Sequence, residues 1–164
     1  MVSAVAPADI VKLPAMDSAE IEALLAGQKI CRMALNDEPQ PYIIALDYVY
    51  IDGKLYFHFA DYGRKMDLIR KDPHVGVEVD NFCAGSPDFK TVSLRGRLAR
   101  VTDEAEKQRA ARQLLSSADE RGGAANVAAR HGFRSLDSAT LASPGSALYR
   151  LDVDGCVALK SPGR

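Results

Sequence analysis

The pair Asp52-Gly53 stands between two apolar runs, Tyr42 to Ile51 and Leu55 to Ala60, and constrains the fold more than any other stretch. An Asp-Gly pair tolerates the positive φ angles of a two-residue turn, so the two runs are expected to pair as an antiparallel hairpin. The first run has no polar break except Asp47. A strand so uniformly apolar is expected to be covered on both faces, which places the hairpin centrally.

The other strand candidates follow in the same hairpin rhythm. Lys29 to Leu35 precedes a turn rich in Asn, Asp and Pro, residues 36–41. Val75, Val77 and Val79 alternate with polar neighbours, the period of a half-exposed strand. Thr91 to Val101 keeps Val92, Leu94 and Leu98 in phase, loses phase at Val101, and offers Gly96 as the place for a bulge. Leu148 to Leu159 closes the set.

Helices are fewer. Asp17 or Ser18 caps one carrying Ile21, Leu24 and Leu25, which Gly27 ends. Lys65 to Lys71 makes one or two turns before Pro73. Asp103 and Glu106 open a third, with Ala110, Ala111, Leu114 and Leu115 inward; Gly122-Gly123 breaks it, and residues 124–130 form a short fourth. Strands in hairpin order without a βαβ rhythm predict a mainly β (α+β) fold, a small antiparallel barrel with flanking helices. The 164 residues suit one domain, 1–164, with an N-terminal arm (1–16) and a helical insertion (102–136) before the last strand.

Charge and cysteine exclude several classes. The 21 basic and 22 acidic residues nearly cancel, which leaves no electrostatic footprint for nucleic acid. No apolar run approaches the roughly 20 residues that span a bilayer, and Met1 to Pro7 lacks a basic leader pattern, so a soluble cytoplasmic protein is expected. Cys31, Cys83 and Cys156 form no Cys-x-x-Cys pair, and His58, His74 and His131 have no metal-ligand spacing; no metal is expected. No Gly-x-Ser-x-Gly elbow or other protein-borne catalytic set is present, and the catalytic residues are unassigned.

Two places carry candidate chemistry. In Gly63-Arg64-Lys65 a strand ends, a glycine turns and two cations open a helix. Helix N-termini present unpaired N–H groups and partial positive charge, so this is either an anion site or a pair of solvated cations. Thr91, Ser93, Arg95 and Arg97 form a polar row that either faces solvent or lines a ligand or subunit groove. His58 is either a strand histidine satisfied by a backbone carbonyl or a residue beside a ligand; His74 and His131, next to Pro73 and Gly132, are expected at the surface. A doubly apolar strand with few helices to cover it, beside that polar row, suggests a homodimer.

Cys31-Arg32-Met33-Ala34-Leu35, Pro41 to Leu46, Leu55 to Ala60, Gly63-Arg64-Lys65, Asp72-Pro73-His74-Val75, Thr91 to Gly96 and Tyr149-Arg150-Leu151 occur in an order that resembles the pyridoxamine-phosphate-oxidase-like FMN-binding split barrels. Within these the chain looks most similar to the small nitroimidazole-resistance (Nim-type) branch. The resemblance implies an antiparallel split β-barrel binding FMN at a homodimer interface. It implies phosphate contacts from Arg64 and Lys65, with His58 and Phe59 nearby. It places the backbone of Ile43, Ile44, Ala45 and Leu46 along the isoalloxazine edge, and further contacts at Thr91 and Ser93. The implied activity is FMN-dependent reduction of a small electron-poor substrate such as a nitroaromatic. Alternatives on the same scaffold are a flavin- or haem-binding storage protein, or a deazaflavin-dependent reductase. The carboxy-terminal substrate motif of the oxidases proper is replaced here by Leu151-Asp152-Val153-Asp154-Gly155-Cys156, so oxidation of pyridoxamine phosphate is not expected.

Overall fold

The computed structural model describes residues 11–120 and 124–163. The first ten residues of the expected arm and the Gly122-Gly123 break lie outside them. Strands β1 (Ile30–Leu35), β2 (Tyr42–Asp47), β3 (Val49–Ile51), β4 (Lys54–Ala60), β5 (His74–Asp80), β6 (Lys90–Arg100) and β7 (Ser146–Lys160) form one sheet in the order β2-β1-β5-β6-β7-β4-β3. Every pairing is antiparallel. The sheet curls until Ala45 and Leu46 of β2 and His58 of β4 border one cavity, giving the split half-barrel expected. The Asp52-Gly53 turn forms as predicted, with φ of 50° and 78° at its two residues.

The apolar run before that turn behaves differently from expectation. It is two strands, broken at Tyr48, whose hydroxyl donates to the Leu25 carbonyl at 2.7 Å and whose N–H donates to Lys29 O at 3.1 Å. Those bonds bend the chain from one edge of the sheet to the other. As an edge strand β2 leaves Ile43 62% exposed, so it is not covered on both faces. The doubly covered strand is β4. Leu55, Phe57 and Phe59 join Met33, Met66 and Leu151 in the main core. Tyr56, on the opposite face, packs with Val49, Val101, Ala110 and Leu114 beneath α3 (Glu104–Glu120). Each large side chain so buried contributes about 1.5–3 kcal/mol.

The flanking elements follow their caps. Asp17 and Glu20 close a reciprocal capping box on α1 (Ser18–Gly27), whose Leu24 and Leu25 plug one end of the core. Residues of the arm run along β7: Met16 N donates to Ala158 O, and Lys160 N to Pro14 O, each at 3.0 Å. The bulge expected at Gly96 is present as a register shift between Arg95 and Gly96 against β7. Asp103 caps α3 by accepting from Glu106 N at 2.8 Å. Beyond it come α4 (Ala124–Arg130) and α5 (Ser138–Ala142). The last, for which the sequence reading places no helix, is capped by Asp137. No described helix is long and apolar enough to cross a membrane.

Candidate functional site

The chain leaves β4 at Ala60 and enters α2 (Arg64–Lys71) through Gly63, whose φ of 83° glycine adopts without strain. Gly63 has no side chain to cap the helix, so the first N–H groups of α2 stay available to a ligand. From this shared turn Arg64 and Lys65 diverge. Arg64 is exposed, ion-pairs with Asp37 and lies 5.5 Å from the Tyr42 ring centroid. Lys65 turns inward, its Nζ 4.7 Å from the Phe59 ring centroid. It borders a cavity of about 70 Å³ with Ala45, Leu46, Asp47, His58, Arg130 and His131.

The polar groups of that cavity are ordered by one another. His131 Nδ1 lies 3.1 Å from the His58 carbonyl oxygen, which can only accept, so the His131 proton sits on Nδ1. That N–H also faces His58 Nδ1 at 3.3 Å, which leaves His58 Nδ1 as acceptor and Nε2 as donor. His58 Nε2 then donates to Ser146 Oγ at 2.6 Å, and the Ser146 hydroxyl proton remains free for another acceptor. Burial first, then the His131 and Lys65 charges, pushes the His58 pKa down to about 3; burial also lowers that of His131. Both rings are neutral at pH 7.

Asp47 is clamped by Arg130, with Nε–Oδ2 at 3.0 Å and Nη2–Oδ1 at 3.2 Å. Among the described residues Lys65 has no carboxylate partner, and burial pulls its pKa down. The cavity therefore holds two cations, one carboxylate and two neutral imidazoles. Its unmatched charge is the half-buried Lys65 ammonium at the mouth of a helix. An anion is what this set of donors fits.

Of the residues expected from the sequence, Ala45, Leu46, His58 and Lys65 meet at this cavity and Phe59 supports Lys65. Ile43 and Ile44 lie on the adjoining edge strand. Arg64 points away from the cavity, toward Asp37. Thr91 and Ser93 are remote within one chain: Ser93 pairs with Val157 and Ala60 with Ser146, toward opposite ends of β7. At about 3.3 Å per residue that separation is on the order of 35 Å along the strand. Thr91 donates to Glu78 at 3.2 Å.

Asp47, Arg130, His131 and Ser146 were not singled out from the sequence. His131 is not at the surface as expected; it is only 6% exposed, packed against β4. The signal was its spacing from Val127 and Ala128, both buried on the same helical face. The signal for Asp47 was its being the sole polar break in an apolar run.

The family model described as pyridoxamine 5'-phosphate oxidase matches residues 17–154. The chain belongs to that family. An uncharacterized protein of Rhizobium meliloti (strain 1021) is 30% identical over 82 residues, 50% of this chain and 53% of that protein. The chain thus spans about half the length of the curated relative it matches. Among solved structures, an FAD-binding protein from Mesorhizobium loti superposes with a TM-score of 0.66 at 20% identity, covering 91% of this chain and 96% of that one. A Bacteroides thetaiotaomicron protein assigned to 5-nitroimidazole antibiotic resistance gives 0.65 at 18% identity, covering 91% and 87%. A haem-binding protein from Mycobacterium smegmatis gives 0.58 at 18% identity, covering 91% of this chain and 57% of that one. At these identities the likeness is one of fold.

Proposed function

We propose that the chain is an FMN-dependent oxidoreductase acting on a small electron-poor substrate of the nitroaromatic kind. The observation that carries the flavin assignment is Lys65, a half-buried ammonium with no counter-ion among the described residues, beside the uncapped start of α2. A terminal phosphate supplies the missing negative charge and accepts the free helix N–H groups. The exposed face of β2, at Ile43 and Ala45, offers an apolar edge with unpaired backbone groups beside the cavity. Bound flavin supplies the hydride or electron transfer. Neutral His58 and His131 hold the proton arrangement of the wall, and β4 with α4 excludes water from one side. The FAD-binding protein that shares the fold supports the flavin part of this reading.

The separation of Thr91 and Ser93 from Lys65 supports a homodimer in which a second copy brings that polar row to the cofactor. Exposed apolar side chains on the sheet, Ile43 on β2 and Val153 and Val157 on β7, are available for such an interface. Haem fits less well. Both ring nitrogens of His58 are engaged, His131 is buried, and His74 is tied to Asp72 at 2.7 Å. The deciding experiment is the absorption spectrum of freshly purified protein, followed by titration with FMN and assay of nitro-group reduction. Flavin bands and saturable FMN binding are the expected result. A Soret band, or no FMN binding, overturns the reading.

A further inference from the structure

A second and larger cavity, about 660 Å³, opens on the far side of the His58–Ser146 pair, between α3, α5 and the start of β7. His58 and Ser146 both line it, so a single hydrogen-bonded pair separates it from the Lys65 cavity. Its size is that of a small-molecule site. Leu115, Leu141 and Leu148 supply apolar wall, and Arg100, Lys107 and Arg112 stand along it. The one carboxylate of the lining, Glu104, is taken by Lys107 at 2.9 Å. Arg100 reaches Asp61 only at 3.7 Å, and Arg112 has no carboxylate partner among the described residues.

From this lining we infer that the groove between α3 and α5 is a second binding site, for a small organic anion with a flat apolar body, an aromatic carboxylate. Arg112 and Arg100 hold the carboxylate. The leucines hold the ring. Ser146, whose oxygen accepts from His58, donates its own proton to an acceptor on the ring substituent, at the wall facing the cofactor cavity. An anionic group gains charge-assisted contacts from the two guanidiniums, and an apolar body covers the leucines. This binding is independent of the flavin reading.

Isothermal titration of the purified protein, flavin-loaded and flavin-stripped, with 4-nitrobenzoate and with nitrobenzene tests it. The carboxylate should bind saturably and about tenfold or more tighter than the neutral arene, the scale of one charge-assisted contact. Arg112→Ala should weaken 4-nitrobenzoate about tenfold. Ala142→Trp, which fills the groove from an exposed position on α5, should abolish binding. Both variants should bind FMN like the parent, whereas Lys65→Met should lose FMN and keep 4-nitrobenzoate. Absence of saturable 4-nitrobenzoate binding, or either groove variant remaining within about twofold of the parent, overturns the inference. A protein that binds 4-nitrobenzoate but no flavin keeps the groove and refutes only the flavin reading.

Discussion

Replacing Lys65 with methionine separates what the ammonium does for the free protein from what it does for a ligand. In the free protein its one specific contact among the described residues is the Phe59 ring, 4.7 Å from Nζ. Such a contact is worth about 0.5–1 kcal/mol near the surface, and a thioether against the same ring recovers a comparable amount. Burial opposes the charged form of Lys65, and that opposition disappears in the variant. Folding stability should therefore stay within about 1 kcal/mol of the parent, or rise.

Ligand binding should respond very differently. Losing one charge-assisted hydrogen bond to phosphate costs about 1.5–3 kcal/mol, or roughly a 10- to 150-fold weaker FMN complex. The same change at Arg64 should cost less, because that guanidinium is exposed and already held by Asp37. Fluorescence titration of flavin-stripped protein with FMN, beside urea denaturation of the free protein, measures both quantities. If Lys65→Met binds FMN within about twofold of the parent, Lys65 is not the phosphate ligand and the argument from an unmatched ammonium is wrong.

Four further outcomes are expected. His58, held near a pKa of about 3, stays neutral when folded while the unfolded chain protonates near 6.5. Stability is therefore full above pH 6.5 and falls by up to about 1.4 kcal/mol per pH unit below it for this one group; denaturation at pH 7 and 5 should show the slope, and His58→Gln should flatten it. Glu20 and Asp72, lowered to about 2 by their hydrogen bonds, add their own losses only below the ordinary carboxylate range. A Cβ at Gly96 would lie 3.0 Å from Asp152 C and Val153 Cα and closer still to Asp152 O, so Gly96→Ala should cost about 1–3 kcal/mol, read as a lower melting temperature. Pyridoxamine phosphate should not be oxidised at ordinary enzyme rates, and turnover of about 1 per second or more in a peroxide assay would refute that. Sedimentation with flavin detection should show flavin and subunits dissociating together on dilution; a monomer at full flavin occupancy would refute a shared site.

How much of this was legible in the sequence follows from the range over which each feature is determined. The Asp52-Gly53 turn, the Asp17–Glu20 box and the Gly63 entry into α2 are set by neighbours within a few residues, and each forms as read. Burial of the run 42–51 failed because it depends on which strand becomes an edge. Hydrophobicity looks alike in an edge strand, a strand covered by a partner and a central strand. Only the Tyr48–Leu25 hydrogen bond and the sheet order tell β2 from β4.

The site divides in the same way. Lys65 and His58 lie on one continuous strand–turn–helix stretch, so their proximity to a common cavity could be anticipated. Asp47 and His131 reach it from two other elements, Ser146 backs His58 from a third, and nothing local to His131 marks it as the partner of a histidine 73 residues earlier. The insertion carrying α3, α4 and α5 gains its meaning by the same route. Read alone it is an amphipathic helix and a polar connection. Folded, its Arg112 and Leu141 line one groove with Ser146, whose half-buried hydroxyl is fixed by His58, whose tautomer is fixed by His131, which the insertion itself supplies. The segment least readable from sequence thus sets the proton arrangement of the wall between the two cavities. Substitutions at His131 should therefore reach the groove beyond Ser146 as well as the Lys65 cavity they directly border.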